Sequence, residues 1–357
     1  MNYIGSKHRL LDFIERHIRQ VMPKIDDAVF CDLFAGTGAV AGHFKNKVKT
    51  VIANDIEDYA YILNAHQLSE QISARESQLL DILNQTDGKD GLFYTHYSQS
   101  GPGNRLYFSD DNARKIDGIR QQIQQWDQQG SISPSETISL LAHSLKALDK
   151  VANTASVYAA FLKTLKKTAQ KPLILEQDIQ TPSQTPAQVY QEDANTLISK
   201  ISGDILYLDP PYNGRQYGNY YHILNTFICY DSFEPKGKTG LRPYYRSKYC
   251  QKKQVLETFQ DLIKNAQFKT IFLSYNNEGL MSLSEIQDIL SQFGEYHCFE
   301  TIHTRFKADK NRAQLSPNTT EYLHCLIKAN IDTDKWQSHL GAQSLPIPAN
   351  GLLTGSH

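Results

Sequence analysis

The chain has 357 residues, 40% hydrophobic and 21% charged, which is ordinary globular usage and excludes wholesale disorder and fibrous repeats. Its 37 lysines and arginines against 38 acids leave a formal charge of −1, a balance that by itself argues against a nucleic-acid partner. No run approaches the roughly 18 apolar residues of a membrane helix, and the N-terminus lacks the apolar segment of a secretory signal. Five scattered cysteines (31, 229, 250, 298 and 325) form no C-x-x-C pair, so neither a metal site nor a disulfide framework is expected. A cytoplasmic location is the default expectation, and the length suggests about two domains, or one domain with a large insertion.

The spacing of Leu10, Leu11, Ile14 and Ile18 predicts a helix over 6–20, with Ser6 as its cap. Lys7, His8 and Arg9 then fall in its first turn, where positive charge opposes the helix dipole. That misplacement suggests another task for Lys7. Residues 28–32 read as a strand ending in Asp32, followed by the glycine turn Leu33-Phe34-Ala35-Gly36-Thr37-Gly38 and a helix. A second strand over 48–54 closes on Asp55. Strand, glycine turn, helix, strand and acid are the opening of a nucleotide-binding βαβ unit.

Residues 65–189 change character: helical, polar, Gln-rich at 121–129, and lysine-rich from Lys146 to Lys171. So long a stretch between β elements predicts an inserted helical subdomain. Strands are expected again at 204–209, 270–274, 297–303 and 321–328. The expected division is a sheet domain from 1–64 and 190–330, the insertion, and a polar tail at 331–357.

Glycine lets a ligand approach the backbone and turns the chain into a helix N-terminus. Asp55 lies 17 residues beyond Gly38, about where a carboxylate meets an adenosine ribose. NAD, FAD and S-adenosylmethionine all fit this pattern. Asp32 and Phe34 tilt the choice toward the last, because a carboxylate can take its methionine ammonium and a ring can cover it.

Asp209-Pro210-Pro211-Tyr212 follows the strand at 204–209. The prolines hold the loop rigid and remove N–H donors, leaving carbonyl acceptors beside the Asp209 carboxylate and a flat Tyr212 face. Two acceptors, the Asp209 carboxylate and the Pro210 carbonyl, suit an exocyclic amine on a planar base, while stacking on Tyr212 contributes ~1–3 kcal/mol. Reaching that amine inside a duplex requires base flipping. Tyr217, Tyr221 and His222 either shape the pocket or pack on the sheet.

The even charge balance conceals local concentration. Residues 236–253 carry Lys236, Lys238, Arg242, Arg246, Lys248, Lys252 and Lys253 with no acid, interleaved with Tyr244, Tyr245 and Tyr249. Arg305 and Lys307 begin a second basic stretch. Both suit phosphate contacts.

The N-terminal Asn2-Tyr3-Ile4-Gly5-Ser6-Lys7, the glycine turn, Asn54-Asp55, the Asp-Pro-Pro-Tyr loop and Leu273-Ser274-Tyr275-Asn276 occur in an order that resembles the D12 class of N6-adenine-specific DNA methyltransferases. The resemblance implies an α/β fold: a Rossmann-like S-adenosylmethionine-dependent methyltransferase sheet with an inserted, mainly helical target-recognition subdomain. It implies cofactor contacts for Tyr3, Lys7, Phe34, Gly36, Gly38, Asp55 and Asp193, beside the Asp32 contact read from the turn itself, and target-adenine contacts for Asp209, Pro210 and Tyr212. Double-stranded DNA is the implied substrate, and a cognate restriction endonuclease an implied partner. Amino-group methylation of RNA or protein glutamine, and a specificity subunit without catalysis, are the alternative functions.

Overall fold

A computed structural model describes residues 3–178, 181–304 and 318–329. In chain order the elements are α1 (Leu11–Val21), β1 (Val29–Asp32), α2 (Ala39–Phe44), β2 (Thr50–Asn54), α3 (Asp58–Gln67), α4 (Glu76–Gln85), α5 (Leu92–Tyr97), α6 (Asp110–Gln128) and α7 (Pro134–Val151). There follow β3 (Ala187–Tyr190), α8 (Ala194–Leu197), β4 (Ser202–Leu208), α9 (Tyr217–Tyr220), α10 (His222–Cys229), α11 (Val255–Asn265), β5 (Gln267–Asn276), α12 (Leu283–Leu290), β6 (Gly294–Thr304) and β7 (Asn318–Lys328).

The strands form one seven-stranded sheet in the order β3-β2-β1-β4-β5-β7-β6. The first five are parallel, and β7 enters antiparallel between β5 and β6. This is the Rossmann-like α/β sheet that the sequence predicts. Alternation along the strands builds two separate cores. Val29, Cys31, Leu206 and Leu208 face Phe259 and Leu262 of α11, whereas Phe30, Val51, Ile205 and Tyr207 face Ile14 and Ile18 of α1. Strand order reverses between β1 and β4, where such sheets bind ligands outside the strands' carboxyl ends.

A third core contains no strand residue. It joins Leu79, Phe93, Ile116, Leu141 and Leu148 of the insertion to Tyr59 and Leu63 of α3, to Tyr221 and to Phe227 of α10. The insertion therefore shares one hydrophobic interior with helices on both sides of it in sequence. Arg120, 1% exposed, reinforces the join by donating to the carbonyls of Phe227 and Ile228, both at 2.9 Å.

Two expectations change. The insertion's expected end at 189 falls inside β3, which pairs with β2 in register Val51 to Ala187; its Ala-Gln-Val-Tyr is too short and too polar to announce a strand. The first helix starts at Leu11, so Ser6 caps nothing and its buried Oγ has no hydrogen-bond partner. Gly5, at φ +81°, and the turn closed by the Leu10 amide on the Lys7 carbonyl carry residues 3–7 into the crevice before the helix begins. Lys7 thus lies outside the helix, where the dipole argument does not apply. Arg305, Lys307 and the tail at 331–357 lie outside the described residues.

Candidate active site

A cleft of about 920 Å³, measured to its open mouth, sits beyond the carboxyl ends of β1, β2 and β4. Tyr3, Lys7, Asp32, Phe34, Gly36, Asp55, Asp193 and Asp209 all line it. Residues dispersed over two hundred positions are brought together because each follows a strand end, or lies in the N-terminal segment laid across those ends.

The glycine turn is shaped from outside. Gly36 (φ +52°) and Gly38 (φ +81°) adopt backbone conformations that side chains resist, and a Cβ on Gly36 would come 3.1 Å from the Tyr3 ring. The Gly36 amide donates to Asp55 Oδ2 at 2.8 Å, and Asn64 Nδ2 donates to the Gly36 carbonyl at 3.0 Å. Asp55 Oδ1 accepts from the Glu57 amide at 3.0 Å, so this carboxylate orders the turn while facing the cleft. Asn54 donates to the Leu33 and Glu192 carbonyls and accepts from the Glu192 amide, tying β2 to the loop that carries Asp193. Asp193 caps α8 by accepting from the Thr196 amide, and its other oxygen accepts from Tyr245 at 2.6 Å. It is thus both a helix cap and a cleft wall.

Acids dominate the floor. Asp32 Oδ2 accepts from the Ala41 amide at 3.0 Å, whereas Oδ1 is buried with no hydrogen-bond partner. Burial, and then neighbouring Asp209, push its carboxyl up to about 8. Glu57, held by Asn225 at 2.5 Å, is likewise pushed up to about 8 by burial and by Asp55. Such a cavity favours a ligand that carries positive charge.

The second half of the site hangs from β4. Tyr212 donates to Asp209 Oδ1 at 2.7 Å, and the Lys7 ammonium lies 3.2 Å from the same oxygen and 2.5 Å from the Tyr212 hydroxyl. Burial raises the Asp209 pKa, and the Lys7 charge opposes the rise. Lys7 therefore belongs to the Asp209 side of the cleft. Pro210 is buried, and the Tyr212 ring lies against Tyr275, centroids 4.8 Å apart.

Tyrosines pin the N-terminal segment. Tyr3 stacks on Tyr221 at 4.7 Å and hydrogen-bonds Tyr59; the Ile4 amide donates to Tyr221, and Tyr217 donates to the Ile4 carbonyl. Tyr217 lines the cleft, whereas Tyr221 and His222 are buried, His222 against the Tyr158 carbonyl at 3.1 Å. Tyr217 thus takes the pocket place, while Tyr221 and His222 pack into the helical core rather than on the sheet.

The strip at 236–253 is less uniform than its charge suggests. Lys236, Lys238, Arg246, Lys248, Lys252 and Lys253 are exposed, though Lys252 bonds the Leu280 carbonyl. Arg242 differs from these: its guanidinium makes a two-pronged pair with Asp231, at 3.0 and 3.2 Å, over the Phe233 ring, with its side chain 10% exposed. Tyr249 is turned inward, edge-on to Phe34 and bonded to Asn195, and Tyr245 is held by Asp193. Sequence reasoning missed Glu57, Asn64 and Asn225, because isolated polar residues outside motifs give no signal until folding buries them.

The family model of the D12 class N6 adenine-specific DNA methyltransferase matches residues 3–289. The chain belongs to this family. This methyltransferase is 52% identical over 332 residues to the type II methyltransferase M.NlaIII of Neisseria lactamica, covering 92% of this chain and 99% of that one. It is 39% identical to the type II methyltransferase M.FokI of Planomicrobium okeanokoites, with 92% and 53% covered. It is 36% identical to the type II methyltransferase M.CviAII of Paramecium bursaria Chlorella virus 1, with 86% and 93% covered. Among the described residues, no helix of this adenine-specific DNA methyltransferase is long and apolar enough to cross a membrane.

Proposed function

We propose that this DNA methyltransferase uses S-adenosylmethionine to methylate N6 of an adenine flipped out of duplex DNA, and that it is the modification enzyme of a restriction–modification system. The observation that carries this reading is that Asp209 and Pro211 of the Asp-Pro-Pro-Tyr loop line one cleft together with the Asp32 and Asp55 carboxylates. The partnerless Asp32 Oδ1 suits an ammonium, and the bare Gly36 lets the Tyr3 ring close against the turn at the cleft wall. We assign Asp55 to the ribose hydroxyls, Phe34 and Tyr3 to the walls, and Asp193 to the adenine end. S-adenosylmethionine supplies an electrophilic methyl on sulfur.

The chain's own residues prepare the nucleophile. An adenine amine is poorly nucleophilic because its lone pair is delocalised into the ring. Lys7 and Tyr212 both engage Asp209 Oδ1, so we assign Oδ2 and the Pro210 carbonyl to the two N–H groups. Holding both hydrogens localises the lone pair on nitrogen for direct attack on the methyl. The proton lost from N6 passes toward Asp209, whose burial raises its proton affinity. Tyr212 stacks the base.

The insertion at 65–189 is assigned to target recognition, and exposed Arg246 and Lys248 to phosphates. A restriction endonuclease reading the same site is the partner we propose, in line with the type II relatives. Radiolabelled S-adenosylmethionine offered with duplex DNA, RNA or protein tests the assignment. Label recovered as N6-methyladenine in duplex DNA is expected; label confined to RNA or protein overturns it.

A further inference from the structure

Where the helical layer meets the sheet, His66 of α3, His143 of α7 and Asp178 of the segment returning to β3 converge. One possible ligand atom from each lies within 4.8 Å of the others. We propose that these three side chains bind a divalent transition-metal ion, with zinc as the ion to test, which ties the helical insertion to the helix that braces the glycine turn.

The hydrogen bonds around His143 prepare it as a ligand. Its Nδ1 lies 2.8 Å from the Ser139 carbonyl, which can only accept, so the ring hydrogen sits on Nδ1 and the lone pair on Nε2. A backbone carbonyl that orients an imidazole in this way is the usual support of a metal-bound histidine. Nε2 then accepts a long hydrogen bond from the Asp178 amide at 3.3 Å and lies 3.2 Å from Glu76 Oε1. A metal on Nε2 takes the place of that long bond and is drawn by the neighbouring carboxylate.

His66 supplies a separate observation. It is 5% exposed, and its Nε2 is buried with no hydrogen-bond partner. The two rings meet edge to face, at 4.9 Å and 71°, rather than stacking. A buried ring nitrogen is usually paired; this unpaired one stands beside a second imidazole and a carboxylate.

Two imidazoles and a carboxylate form a set that takes first-row divalent ions. The Lys146 ammonium bonds Asp178 Oδ2, so a metal shares this carboxylate through its other oxygen. Glu76, also buried, adds a second negative charge beside Asp178, one of the two being offset by the Lys146 ammonium. His66 lies two residues beyond Asn64, whose amide holds the Gly36 carbonyl, so the ion would fix the helix beneath the cofactor turn.

The full chain, stripped with EDTA and equilibrated with zinc chloride, tests this by elemental analysis after gel filtration. About one zinc per chain is expected, with a melting temperature raised by added zinc. His66→Gln and Asp178→Asn should each reduce retained zinc to background while the far-ultraviolet circular dichroism stays native. Cobalt substituted for zinc should give visible absorption bands in the wild-type chain that His66→Gln removes. No zinc above background in the wild type, or zinc retained by both variants, overturns the proposal.

Discussion

The cleft and the basic strip hold charge in opposite ways. In the cleft, Asp32, Asp55, Glu57 and Asp209 are withdrawn from water, and each answers to one or two named partners. On the strip, Lys236, Lys238, Arg246 and Lys248 stand in solvent, Arg246 over the Tyr244 ring. Buried charges act singly and strongly, because low dielectric magnifies each contact. Exposed ones act together and weakly, and salt screens them. A formal charge near zero averages the two regimes and describes neither.

The largest expected effect breaks the cleft alone. Asp209→Ala should lower methyl transfer by about 10³-fold or more, a loss of the size seen when a buried catalytic contact is removed. S-adenosylmethionine affinity, read by calorimetry, should move little; an equal loss of affinity would place Asp209 on the cofactor.

Asp32 gives the next effect, through pH. Its carboxyl is raised from 3.8 to about 8, so the folded state keeps this proton longer than the unfolded state. That stabilising contribution is complete below the unfolded value and is lost as pH rises through about 8. Ligand-free wild type should therefore lose stability relative to Asp32→Asn across this window, by up to roughly 1.4 kcal/mol per pH unit. Parallel denaturant curves for the two chains from pH 5 to 8 (about the span between the two pKa values) would show the contribution absent.

Tyr212 separates stacking from hydrogen bonding. Tyr212→Ala should cost ~1–3 kcal/mol of transition-state stabilisation, and Tyr212→Phe markedly less, since the face is kept. Equal losses would mean that the hydroxyl on Asp209 matters more than the ring.

The strip supplies the smallest effects. Arg246→Ala and Lys248→Ala should each weaken binding to all duplexes alike and lower the salt slope by about 1. Arg242→Ala should leave that slope unchanged and lower stability by roughly 1 kcal/mol, because its partner is Asp231. A change of slope with Arg242→Ala would return it to the DNA-facing set.

The legible parts of the site were those whose chemistry is carried by neighbours in sequence. Gly36-Thr37-Gly38 and Asp209-Pro210-Pro211-Tyr212 each impose a backbone shape within a few residues, so a reader of sequence meets the whole device at once. Asp55 followed because strand and acid adjoin. The short edge strand β3 was illegible: four half-buried residues at a sheet edge need no apolar alternation. The helical core was legible as helices but not as a continuation of α3 and α10, since that joining depends on contacts between segments a hundred residues apart.

By itself the sequence determined the sheet's opening unit, the rigid acceptor loop, and the local concentration of basic residues. These are short-range properties, set by backbone freedom, proline geometry and charge density. Only the tertiary structure decided that Lys7 meets Asp209, that Arg242 is paired internally, that Tyr249 points inward, and that His66, His143 and Asp178 meet at all. Such partnerships are set by which faces are buried together, and burial belongs to the whole chain.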